Sequence, residues 1–138
     1  MVTGSCLCGR VSFEIDGPLT AIQYCHAGRC RKATGAAFAA EVAAKASQLA
    51  WTSGEELVTV FEAPLLREPP RYRHAFCSVC GSPVPIALEG TDLVVLHAGV
   101  LDGEPETRPF RHAFVEQAAS WHTITDDLPR FAGRAPRG

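Results

Sequence analysis

Polar and apolar residues alternate over residues 10–15, Arg-Val-Ser-Phe-Glu-Ile, which puts Val11, Phe13 and Ile15 on one face and predicts a strand with that face in the core. Asp16-Gly17-Pro18 breaks the pattern as a turn, and residues 20–24 suit a second strand that delivers the chain to Cys25. The stretch 25–35, Cys-His-Ala-Gly-Arg-Cys-Arg-Lys-Ala-Thr-Gly, follows neither period; its glycines bracket one helical turn at 31–34, and it reads as a functional loop. Residues 37–42 fit a strand anchored by Phe38, although so much alanine also suits a helix, and 45–49 fit a short helical turn. Runs at 49–52 and 57–62 flank Ser53-Gly54-Glu55-Glu56 and predict a hairpin. Pro64, Pro69 and Pro70 mark an irregular loop before a strand at 71–76, and Pro83 and Pro85 confine a strand at 84–88 to a sheet edge. Residues 93–100 are apolar on both faces, a central-strand pattern, and 111–115 supply one more strand. Residues 128–131 open a Pro/Gly/Arg tail expected to fray, with flexibility from about residue 132. The pattern predicts a mainly β fold with short helical turns.

Two cysteine pairs interrupt these strands, Cys6-Leu7-Cys8 followed by Gly9, and Cys77-Ser78-Val79-Cys80 followed by Gly81. Two pairs held in tight loops supply four thiolates at low conformational cost, the tetrahedral donor set that zinc favours and that iron also accepts. Glycine after each pair allows a sharp knuckle in which backbone N–H groups turn toward sulfur. The competing reading of six cysteines is three disulfides. No stretch near Met1 has the charged segment and apolar core of a secretory signal, so a reducing cytoplasm is expected, and with it free thiols and metal binding at Cys6, Cys8, Cys77 and Cys80.

Composition narrows the function. A chain of 138 residues that is 46% apolar suits a single domain, 1–138, with a real core. Thirteen basic against fifteen acidic residues leave a formal charge of -2 and no basic stripe, so no nucleic-acid partner is expected. No apolar run reaches the roughly 18 to 20 residues of a membrane span; the alanine-rich stretch 36–50 is broken by Glu41, Lys45 and Gln48.

Four ordered motifs then stand out: Gly4-Ser5-Cys6-Leu7-Cys8-Gly9 with Val11, Phe13 and Glu14; Cys25-His26 with Cys30-Arg31-Lys32 and Gly35; Phe76-Cys77, Cys80-Gly81-Ser82-Pro83; and Trp121 with Asp127-Leu128-Pro129-Arg130-Phe131. Together they resemble the glutathione-dependent formaldehyde-activating enzyme family, which also includes centromere protein V. The resemblance implies a β-tent, two antiparallel sheets pinned by a structural zinc, and carbon–sulfur lyase chemistry on a thiol–aldehyde adduct such as S-hydroxymethylglutathione. It also implies a second metal site of the form Cys-x-Cys-x2-Cys. This chain keeps Cys25 and Cys30 and has Ala27 where the middle thiolate belongs, so a second zinc needs a replacement ligand from His26, another histidine, water or the substrate thiol. His26 is awkward for this, because adjacent side chains diverge.

Cys25 and Cys30 are the candidate catalytic residues. A helical turn starting at 29 would lower the thiol pKa of Cys30 through its N–H groups and through Arg29, Arg31 and Lys32. Arg31 and Lys32 suit the carboxylates of glutathione or a similar small thiol, and His112 is a substrate-pocket candidate by its position in the late strand. The alternatives are a small buried Cys30 beside a solvated basic face, His97 as a core histidine, His74 as a partner of the structural metal, and Trp121 as either a core plug or, with His122, a cleft wall. Two functions stay open: a lyase-like enzyme, and a zinc-stabilised binding or redox-sensing module that has lost the second metal.

Overall fold

The computed structural model describes residues 1–63 and 72–136; the expected loop at Pro64, Pro69 and Pro70 and the first residue of the strand at 71–76 lie outside them. In chain order the strands are β1 (Val2–Ser5), β2 (Ser12–Ile15), β3 (Ile22–Cys25), β4 (Ala39–Lys45), β5 (Leu49–Ser53), β6 (Val58–Glu62), β7 (Arg73–Cys77), β8 (Ile86–Ala87), β9 (Leu93–His97) and β10 (Pro109–Ala113). The single α-helix among the described residues, α1 (Gly28–Thr34), lies between β3 and β4, and short 3-10 turns follow β4, β5, β9 and β10. The fold is mainly β and compatible with the β-tent. It divides into two compact units, Met1–Thr20 with Val42–Glu106, and Ala21–Glu41 with Thr107–Gly138.

In the first unit β2 lies between β1 and β5, antiparallel to both. Val11, Phe13 and Ile15 are buried as the alternation requires, and Trp51 meets the Phe13 ring edge-on at 6.0 Å. Burying Phe13 alone stabilises the unit by about 2–3 kcal/mol. Gly4 of β1 pairs with Phe13, and any Cβ there would overlap the phenylalanine ring. That short, glycine-containing strand carries no alternation strong enough to be seen in the sequence.

The predicted hairpin of 49–52 and 57–62 does not form. Instead β5 pairs with β2, and β6 pairs with β7 through Val58↔Cys77 to Glu62↔Arg73. Gly54 at φ +73° and a 3-10 turn at Glu55–Leu57 redirect the chain between the two ladders. Among the described residues β8 is an edge strand paired with β9, and β9 lies between β8 and β4, as expected, but both are shorter than the expected 84–88 and 93–100, β9 giving way to a 3-10 turn at Ala98–Val100.

In the second unit β3 is flanked by the start of β4, antiparallel, and by β10, which is parallel to it. The alanine-rich stretch expected as a strand at 37–42 does give one, but it starts at Ala39, beyond Phe38, and runs to Lys45, with Ala39 packed against Cys30 of α1. The stretch at 128–131 is tied to β10 instead of fraying, since His112 N–H donates to Pro129 O at 2.8 Å and Phe131 N–H to His112 O at 2.9 Å.

Candidate functional site

The first unit carries the cysteine quartet. Cys6 and Cys8 come from the knuckle after β1, Cys77 ends β7, and Cys80 closes the turn that follows. Their four sulfurs lie within 4.8 Å of one another. Cys6 and Cys8 are 3.5 Å apart and Cys8 and Cys77 3.9 Å, bracketing the about 3.8 Å that two thiolates adopt on one tetrahedral zinc.

Both knuckles turn on left-handed glycines, Gly9 at φ +79° and Gly81 at φ +76°, whose N–H groups donate to the carbonyls of Cys6 and Cys77. The N–H groups that reach sulfur come from elsewhere, Val11 to Cys6 at 3.3 Å and Val79 to Cys77 at 3.4 Å. A hydrogen bond from Ser82 N–H pulls the Cys80 thiol down to about 5, toward the thiolate form a metal requires, while against the Arg10 N–H desolvation and the neighbouring sulfurs push Cys8 up to about 11. Leu7 N–H donates to Ser82 Oγ at 2.8 Å and ties one knuckle to the other. The donor set, spacing and N–H contacts fit a closed four-sulfur metal site. His74 stacks on Phe76, and burial lowers the pKa of both His74 and His97.

In the second unit the pleat of β3 sorts the chemistry onto two faces. Gln23 and Cys25 point one way and Tyr24 the other, and the pairings Gln23↔Glu41, Cys25↔Ala39 and Arg111↔Gln23 put Glu41 and Arg111 on the Cys25 face. Cys30 reaches the same face from α1 and donates to Cys25 Sγ at 3.0 Å. The Cys25, Cys30 and Glu41 donor atoms all lie within 4.8 Å of one another. Sequence reasoning missed Glu41; its only trace is an acidic residue in an otherwise alanine-rich strand.

Cys30 is buried, and its thiol is pushed up rather than down: the hydrogen bond to Cys25 and burial dominate, Glu41 adds to them, and Arg29 opposes them only in part. The expected depression from the helix start and the basic neighbours is therefore overturned. Burial also raises the Glu41 carboxyl, against hydrogen bonds from Gln23 and Cys25 and the charge of Arg29. Arg31 and Lys32 lie in the last turn of α1, Lys32 exposed and Arg31 half-buried, where positive charge complements the helix C-terminus.

The opposite face holds a buried relay. His26 Nε2 meets His112 Nδ1 at 2.8 Å, and His112 Nε2 meets both oxygens of Asp126 at 3.0 Å. A carboxylate only accepts, so His112 carries a proton on Nε2; while that ring is neutral, its Nδ1 accepts from His26 Nε2–H and His26 keeps a bare Nδ1. That nitrogen is buried without a protein partner. His26 is fully buried and His112 2% exposed, between Tyr24, Phe38 and His122. Burial, followed by the neighbouring His112, lowers His26 to about 4. His112 thus has both ring nitrogens engaged and, like His26, is buried. Trp121 is 72% exposed, which removes the core-plug reading.

Among known structures, a crystal structure of a Rhodobacter sphaeroides protein shares the fold with a TM-score of 0.55 at 22% identity, over 78% of this chain and 98% of that one. No curated protein matches the sequence. A family model described as glutathione-dependent formaldehyde-activating enzyme matches residues 1–117. With the cysteine quartet assembled and the second thiol pair intact, the chain belongs to the glutathione-dependent formaldehyde-activating enzyme family.

Proposed function

We propose that this chain makes or breaks the carbon–sulfur bond of a small thiol–aldehyde adduct such as S-hydroxymethylglutathione, in the cytoplasm, on a single domain held by one structural zinc at Cys6, Cys8, Cys77 and Cys80. Four thiolates leave that zinc no open position, so its contribution is to folding rather than chemistry. The reaction adds a thiol across a carbonyl: the S–C bond forms, the C=O π pair moves to oxygen, and one proton passes from sulfur to oxygen. Nothing is oxidised. The observation that carries the reading is the pair of thiols at Cys25 and Cys30, 3.0 Å apart and backed by Glu41 on one face of β3, in a chain of this family. Cys25 and Cys30 serve the reacting centre, Arg31 and Lys32 meet the carboxylates of the thiol, and His112 positions His26.

The same 3.0 Å separation supports a second reading, a redox sensor, because closing it by about 1 Å gives a disulfide. Peroxide would take two electrons from the pair and leave as water, with the two thiol protons completing the balance. Exchange NMR on formaldehyde and glutathione separates the two. The enzyme accelerates interconversion of adduct and free thiol, and Cys30→Ser abolishes the acceleration while leaving the fold intact. Wild-type exchange at the buffer rate contradicts the enzyme reading, and a reversible Cys25–Cys30 disulfide in that same inactive protein favours the sensor.

A further inference from the structure

In the second unit the residue next to Cys25 in sequence is on the wrong face. His26 turns to His112 and the aromatic rings, while Glu41, eleven residues beyond Cys30, arrives beside both thiols through the Gln23↔Glu41 and Cys25↔Ala39 register. Ala27 is buried against Cys25 and Cys30 and offers no donor. Two soft sulfurs and one carboxylate oxygen form a three-ligand set of the kind that holds zinc with its fourth position open.

We propose that Cys25, Cys30 and Glu41 form a second zinc site, in which the Glu41 carboxylate stands in for the thiolate that Ala27 does not supply. The sulfurs at 3.0 Å open by less than about 1 Å to reach the spacing of a shared zinc. Two thiolates and a carboxylate carry three negative charges against the two of the ion, and the Arg29 guanidinium, whose charge is felt by both Cys30 and Glu41, offsets the excess. Gln23, itself held by Arg111 Nε at 2.7 Å, hydrogen-bonds Glu41 and fixes the carboxylate on this face. The open position suits a thiolate or a water molecule.

The metal content of the full chain tests this without any substrate, so its failure is separable from failure of the adduct reading. After purification under reducing conditions, elemental analysis should give two zinc ions per chain. Glu41→Ala and Glu41→Gln should each give one, and Ala27→Cys added to Glu41→Gln should restore two by rebuilding the missing thiolate. Cobalt loading supplies a second readout: the second equivalent should add roughly half the sulfur-to-cobalt charge-transfer intensity of the first, because it has two thiolates instead of four, and that increment should vanish in Glu41→Gln. One ion in the wild-type protein, or two ions with an unchanged cobalt spectrum in Glu41→Gln, overturns the proposal.

Discussion

His26 shows how one position is shaped by neighbours the sequence does not place beside it. Its backbone N–H is held by Ala113 O at 2.9 Å and its ring by His112, so its direction is fixed by β10, more than eighty residues away. Folded, it titrates near 4; in the unfolded chain it does so at about 6.5. Between those values the unfolded chain binds more protons, so stability falls as pH drops from 6.5 toward 4. His74 and His97 shift in the same direction, which makes a difference measurement necessary. His26→Gln keeps a donor for His112 and cannot titrate. The stability gap between wild type and this variant, followed by denaturant unfolding from pH 7 to pH 4.5, should narrow on acidification; a gap independent of pH contradicts the buried, neutral His26. Asp126, held low first by Leu128 N–H and then by His112, stays ionised across this range and does not confuse the comparison.

At the level of elements, the alternation at Val11, Phe13 and Ile15, the edge character of β8 and the knuckle glycines were all legible, because each follows from local period or turn chemistry. The partner of β5 was not legible. Residues 49–52 and 57–62 both have strand character around a glycine, and only the packing of Trp51 on Phe13 and the 3-10 turn at Glu55–Leu57 decide that they separate. Gly54 is the pivot: it is left-handed, and a Cβ there would run into the backbone carbonyl of Arg10. Gly90 is equally left-handed at φ +79° but faces open space. Gly90→Ala should therefore cost only the conformational term, about 1–2 kcal/mol. Gly54→Ala should lose that amount plus about 1–3 kcal/mol of overpacking against a backbone that cannot swing aside. Equal losses in urea denaturation would show that the Arg10 wall does not constrain the turn. Glu41 belongs to this scale too, since strand register brings it to Cys25 and no sequence spacing announces it.

For the molecule as a whole, the cysteine quartet joins residues 6–8 to residues 77–80, and the sequence revealed it because two Cys-Gly knuckles leave a pattern that survives any distance along the chain. The second thiol pair was legible only in part, its third ligand being supplied by the fold. A core of this size gains much from a metal tie, and structural zinc in small domains contributes on the order of 10 kcal/mol to folding. Cys6 and Cys77 both sit inside the apolar cluster with Val11, Ala75 and Val84, so releasing the metal loosens the packing as well as the knuckles. The most direct measurement is thermal unfolding of the purified protein before and after removal of zinc by a high-affinity chelator under reducing conditions, with Cys77→Ala alongside. The metal-bound protein should unfold cooperatively, and both the chelated protein and Cys77→Ala should lose that transition or aggregate, with zinc restoring it to the chelated protein alone. A stripped protein that keeps its zinc-bound melting temperature would contradict the claim that this quartet holds a structural metal.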